Sequence, residues 1–119
     1  MLSTKATPGA KRWPRGQKFT LSTAGAEDEA AYRAAVLAAR SSGRAALESA
    51  LAGWASPRAV LPADGVLLAE LAGKRLGLGD LSRALETAGV PPEDVREGIR
   101  RLVDAGIVVP VPLASQARP

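Results

Sequence analysis

Between residues 91 and 113 a helix with a single apolar stripe runs directly into an extended segment that only one neighbour can pair with. Pro91 and Pro92 precede Glu93-Asp94-Val95-Arg96-Glu97-Gly98-Ile99-Arg100-Arg101-Leu102-Val103-Asp104-Ala105-Gly106. Proline is tolerated in a first helical turn, where its missing N–H would have had no partner. Glu93 and Asp94 place negative charge near the positive end of the helix dipole. Val95, Ile99, Leu102 and Val103 recur at the spacing of one buried face, and Gly106 is a natural C-terminal stop. Gly98 flanks that stripe. Glycine there costs roughly 1 kcal/mol against alanine, so a closely packed neighbour is expected to offset it.

The segment that follows is Ile107-Val108-Val109-Pro110-Val111-Pro112-Leu113. Its odd-numbered positions are all apolar and can share one face of a strand. Pro110 and Pro112 lie two apart, so their missing N–H groups fall on the same edge and stop a ladder there. An edge strand is therefore expected, paired on its other side with the Leu76-Gly77-Leu78 link. Too few residues follow in this sequence for a second wing strand.

Two further helices precede it. Asp64 is positioned to cap one carrying Leu67, Leu68, Leu71 and Ala72. Asp80 is positioned to cap another carrying Leu81, Ala84, Leu85 and Ala88, closed by Gly89 with Val90 in the hydrophobic position after it. Upstream, Thr23 to Arg40 reads as a helix with Glu27, Asp28 and Glu29 at its start and a thin stripe of Tyr32, Val36 and Ala39 beside Leu37. Ser41-Ser42-Gly43 breaks it. A second helix follows from Arg44 to about Trp54, with Leu47, Leu51 and Trp54 on one side, and Ser56-Pro57 ends it. A helical hairpin with so narrow a stripe is expected to pack on the C-terminal unit or on another copy of itself.

Composition narrows the chemistry. The 119 residues contain no Cys and no His, which excludes disulfides, thiolate or imidazole metal sites and Ser–His or Cys–His nucleophile pairs. Gly73-Lys74-Arg75 is not a phosphate loop, because Leu68 stands where the first glycine belongs and Arg75 replaces the magnesium-binding hydroxyl. Gly77-Leu78-Gly79 is a turn signal. No enzyme motif, cofactor or metal site is expected. There is no apolar run of the ~20 residues that cross a bilayer and no signal-peptide pattern, so a cytoplasmic protein is the default expectation.

The formal charge of +4 is unevenly placed: +5 in residues 1–20, −1 in residues 21–55 and zero in residues 56–119. Lys11, Arg12, Trp13, Arg15, Lys18 and Phe19 mix cations with aromatic rings. Cations neutralise phosphates and an indole face stacks on a base. The competing reading is a solvated tail whose Trp13 and Phe19 dock on the chain's own domain.

Leu81-Ser82-Arg83-Ala84-Leu85, then Gly89-Val90, then Val95, Leu102 and Gly106-Ile107-Val108, form a pattern that resembles helix-turn-helix domains of the winged-helix type. The resemblance covers residues 62–113. It implies a recognition helix over 92–105 with Glu93, Arg96, Glu97 and Arg100 outward and Arg101 on its flank, with Ser82 and Arg83 near the nucleic-acid backbone.

The expected architecture is mainly α: a basic flexible tail (1–21), a helical hairpin (22–56), a three-helix winged-helix-like unit with one short edge strand (62–113) and a C-terminal tail (114–119). The expected function is a small, non-enzymatic DNA-associated protein. Its candidate contacts are Lys11, Arg12, Trp13, Arg15, Lys18, Arg96, Arg100 and Arg101. The alternatives are a protein docking module, with a homodimer among its forms, or an assembly component of a larger complex.

Overall fold

The computed structural model describes residues 13–112, and within them the chain is mainly helical with a small antiparallel sheet. The order is β1 (Lys18–Leu21), α1 (Thr23–Ala39), α2 (Arg44–Ala55), α3 (Asp64–Leu71), β2 (Leu76–Gly77), α4 (Leu78–Glu86), α5 (Pro92–Asp104) and β3 (Val108–Val111). Short 3-10 turns at Arg40–Ser42 and Ser56–Arg58 follow α1 and α2. Lys11, Arg12, Leu113 and the tail 114–119 lie outside the described residues.

The sheet corrects the expected strand pairing. Its order is β2-β1-β3, with β1 antiparallel to both neighbours. The C-terminal strand therefore pairs with β1 and not with the 76–77 link, which lies on the far side of β1. The physical reason is Phe19. Its ring is fully buried in the shared core, and burying it draws β1 into the middle of the sheet. Residues 18–21 thus belong to the fold rather than to a tail.

β3 is nevertheless an edge strand. Ser22 N–H donates to the Ile107 carbonyl at 2.9 Å. Antiparallel pairing alternates, so with Leu21 opposite Val108 and Phe19 opposite Pro110, the nitrogen of Pro110 points away from β1. The proline occupies the one side of the strand that has no ladder to lose.

All helices share one core, so the hairpin and the C-terminal unit are not separate bodies. Trp54 and Ala55 of the hairpin join Leu68, Leu71, Leu81, Ile99 and Leu102 in a single apolar cluster. Two glycines allow the close approach. A Cβ on Gly25 would lie 1.9 Å from the Ile107 carbonyl oxygen, and one on Gly65 would lie 2.1 Å from the Tyr32 ring. Gly98 plays the expected part, since a Cβ there would meet Leu67 Cδ1 at 2.5 Å.

The stripes on α3 and α5 are buried as the periodicity predicts, at Leu67, Leu68, Leu71, Val95, Ile99 and Leu102. On α4 only Leu81 and Leu85 are buried, whereas Ala84 and Ala88 are exposed. Alanine reads as apolar but has too little surface to decide which way a helix faces. Leu37 on α1 is also exposed.

Helix ends differ from expectation at both aspartates. Asp64 is the first residue of α3 and accepts from Leu61 N–H in the preceding turn at 2.9 Å, rather than capping the helix. Asp80 sits inside the first turn of α4, bridged to Arg83. Ser22 is the residue that caps, accepting from Gly25 N–H at 2.9 Å while its hydroxyl donates to the Gly106 carbonyl at 2.7 Å. Glu27, Asp28 and Glu29 fall beyond the first turn of α1 because the helix begins at Thr23. The ends of α4 and α5 follow the expected glycine geometry. Gly89 and Gly106 have φ of 79° and 78°. Val90 N–H returns to the Leu85 carbonyl and Ile107 N–H to the Leu102 carbonyl, which satisfies carbonyls a helix end would otherwise leave open.

Candidate nucleic-acid interface

Residues 13–17 enter the fold alongside α5. The half-buried Trp13 ring meets Phe19 edge-on, with centroids 4.8 Å apart and planes at 77°. The Arg100 guanidinium lies 5.0 Å over the Trp13 ring, within the range of a cation–π contact. Trp13 is thus an anchor joining β1 to α5, with one face of its ring covered by the Arg100 guanidinium. The competing expectation, that Trp13 and Phe19 dock on the chain's own domain, describes what both side chains do.

Pro14 to Gln17 form a tight turn, with Gln17 N–H donating to the Pro14 carbonyl at 3.0 Å and Gly16 at φ 83°. The Gln17 amide then donates to the Lys18 and Val111 carbonyls at 2.8 and 2.7 Å. This turn is tied at one end by the indole and at the other by the sheet, and it presents Arg15 and Lys18 to solvent. Arg15, Lys18 and Arg83 border a shallow groove of about 360 Å³ between this turn and Gly77-Leu78-Gly79 at the start of α4. Gly77 keeps the wall thin, since a Cβ there would come within 3.2 Å of the Gln17 carbonyl. Arg83 shares its charge with Asp80, at 2.6 Å.

Helix α5 has two outward edges of different character. Arg96 and Arg100, four residues apart, share the edge that meets Trp13, and Arg96 is exposed. Asp94, Glu97 and Arg101, spaced by three and four, share the other. Arg101 is committed there. Its Nε and Nη2 each donate to an Asp64 carboxylate oxygen at 2.9 Å, and the Asp64 side chain is only 3% exposed. The hydrogen bond to Asp64 is the main cause that raises the Arg101 pKa above its ordinary value, against a smaller opposing effect of burial. Arg101 is held in this pair on the edge away from Arg96 and Arg100.

The structure therefore brings together Trp13, Arg15, Lys18, Arg96 and Arg100, and it sends Arg101 elsewhere. Sequence reasoning missed Gln17, whose amide staples the basic turn to β3 across 94 positions. No local signal marks such a bond. It also missed Asp80 as the partner of Arg83, which their spacing of three on one helix could have shown.

Among the described residues no helix is long and apolar enough to cross a membrane. No family model matches the chain, no curated protein matches it, and no solved structure matches it.

Proposed function

We propose that this chain is a small, non-enzymatic DNA-associated protein built on a winged-helix-like frame, in which the N-terminal strand takes the place of a wing. The support for the frame is the order α3, β2, α4, α5, β3, with β1 filling the sheet between β2 and β3. The observation that carries the functional reading is the Trp13–Arg100 contact. It joins the basic turn holding Arg15 and Lys18 to the Arg96–Arg100 edge of α5. Cations held on a rigid turn bind phosphate with less ordering cost than cations on a free tail.

The acidic residues on α5 divide the labour. Glu93, Asp94 and Glu97 repel phosphate, so α5 contributes placement through one edge while the N-terminal segment, including Lys11 and Arg12, supplies most of the affinity.

The test is a salt-series titration of duplex DNA by fluorescence anisotropy. Deleting residues up to Leu21 would remove the central strand, so the comparison is made by substitution. Changing Lys11, Arg12, Arg15 and Lys18 together to Gln is expected to flatten the log K against log salt slope by roughly 3–4, at about 0.9 for each phosphate that is no longer neutralised. Replacing Arg96 and Arg100 with Ala is expected to weaken binding by less. Absence of DNA binding at low salt, or a slope unchanged by the four Gln substitutions, would refute the proposal.

A further inference from the structure

The other outward edge of α5 borders a separate groove of about 390 Å³, which shares no lining residue with the groove beside the basic turn. Its floor is apolar: Leu61, Val66, Val90 and Pro91 line it between the turn before α3 and the turn between α4 and α5. Leu61 is 50% exposed, unusually open for a leucine beside a built core. Asp94 and Glu97 stand on the rim, one turn apart on α5.

The charge of this groove is decided by the Arg101–Asp64 pair. Asp64 and Arg101 also line it, but they neutralise each other through two 2.9 Å hydrogen bonds. Asp94 and Glu97 form no ion pair within 4 Å among the described residues and act on Arg101 only at longer range, so the four charged groups sum to a formal −2 over an apolar floor. Neighbouring Glu93 adds to the same field. Phosphate is excluded from such a surface by repulsion, and a neutral apolar partner would leave both carboxylates desolvated without compensation. A segment that brings an aliphatic or aromatic anchor together with flanking Lys or Arg satisfies both demands.

We infer that this groove is a docking site for a basic, apolar-anchored peptide segment of a partner protein. Its lining shares no residue with the cationic surface proposed above for nucleic acid. The two surfaces use different edges of α5 and different lining residues.

The test uses the full chain and three fluorescein-labelled peptides of equal length. The first has a central Leu-Leu pair flanked on each side by three Lys or Arg, the second replaces the Leu pair with Ser, and the third replaces every cation with Glu. Anisotropy is expected to rise with the first peptide alone. The Asp94→Asn, Glu97→Gln double variant is expected to weaken it at least tenfold, and Leu61→Ser at least threefold. All three positions are exposed, and circular dichroism melts confirm that the variants fold. Equal binding of the Leu and Ser peptides would overturn the inference, because it would reduce the site to a diffuse acidic patch. So would binding unchanged in the double variant, or absence of binding at low salt. Concentration-dependent dimerisation in sedimentation that the double variant abolishes would also overturn it, by assigning the groove to a second copy of this chain. Changing Lys11, Arg12, Arg15 and Lys18 together to Gln is expected to leave peptide affinity within twofold. A larger loss would overturn the claim of two separate surfaces.

Discussion

Removing the Asp64 carboxylate should be among the most damaging single changes in this chain. The carboxylate accepts three hydrogen bonds, two from the Arg101 guanidinium and one from Leu61 N–H, each 2.9 Å long. In Asp64→Ala, the Leu61 amide is left without its partner, at a cost of about 1 kcal/mol or more. Arg101 loses two charge-assisted bonds, each ordinarily contributing about 1.5–3 kcal/mol. Its side chain is 35% exposed, so water recovers part of that loss and the lower end applies. The expected total is about 3 kcal/mol, at the low edge of the range for a broken buried pair. Arg101→Ala is expected to cost at least as much at neutral pH, because it strands a negative charge that is nearly sealed from solvent. Urea unfolding of both single variants and the double variant gives the coupling energy. A value of about 1.5–3 kcal/mol is expected, and a drop in Tm of about 10 °C should accompany Asp64→Ala. Coupling under about 0.5 kcal/mol would show that the pair is ornamental and that the turn before α3 is held by apolar packing alone.

Three further outcomes follow from the packing. Gly25→Ala should destabilise by about 3 kcal/mol or more in denaturant melts, since the added methyl would lie 1.9 Å from the Ile107 carbonyl oxygen and that oxygen is already bonded to Ser22. Ala59→Gly should raise stability by about 0.5–1 kcal/mol, because Ala59 holds φ 59° at an exposed C-terminal turn, a conformation that glycine adopts without the Cβ penalty. Tyr32 is the single tyrosine, so phenolate absorbance reads it alone. Burial raises its pKa above 10.0, so its folded-state midpoint should exceed that of the urea-unfolded chain. A folded-state pKa above the unfolded one favours the neutral phenol. Its contribution to stability is therefore complete below the unfolded value, near 10.0, and is lost as pH climbs through the folded one.

The helical part of this fold is legible in the sequence because each helix carries its own evidence. The stripe of Val95, Ile99 and Leu102 and the cluster of Leu67, Leu68 and Leu71 mark buried faces within a dozen residues, and the same residues form the core. The sheet is not legible in the same way. Lys18 to Leu21 is four residues long, too short for a periodic signal, and its partners lie far along the chain. Its apolar Phe19 is visible, but not the pocket waiting for it. The candidate site divides on the same line. Arg15 and Lys18 are readable as exposed cations, whereas Arg101 looks equivalent to Arg100 until its partner 37 positions away is in view. Asp64 reads as a helix cap because local rules see only the helix it begins.

The central position of β1 also sets a clock. Its register partners in β3 lie roughly 90 positions downstream, and all five described α-helices are made in the interval. A ribosome adding about 5–20 residues per second would leave Phe19 without its strand partner for several seconds. Both edges of β1 are open until Leu76 and Gly77 are made, and the edge that receives β3 stays open until Val108. Ordering of the sheet then becomes the last event, governed by a closure that spans most of the described chain, and such long-range closures are slow relative to helix formation. A nascent chain stalled before Val108 would accordingly hold formed helices around an unclosed core, and the same four-residue strand that completes the fold would be its most adhesive part.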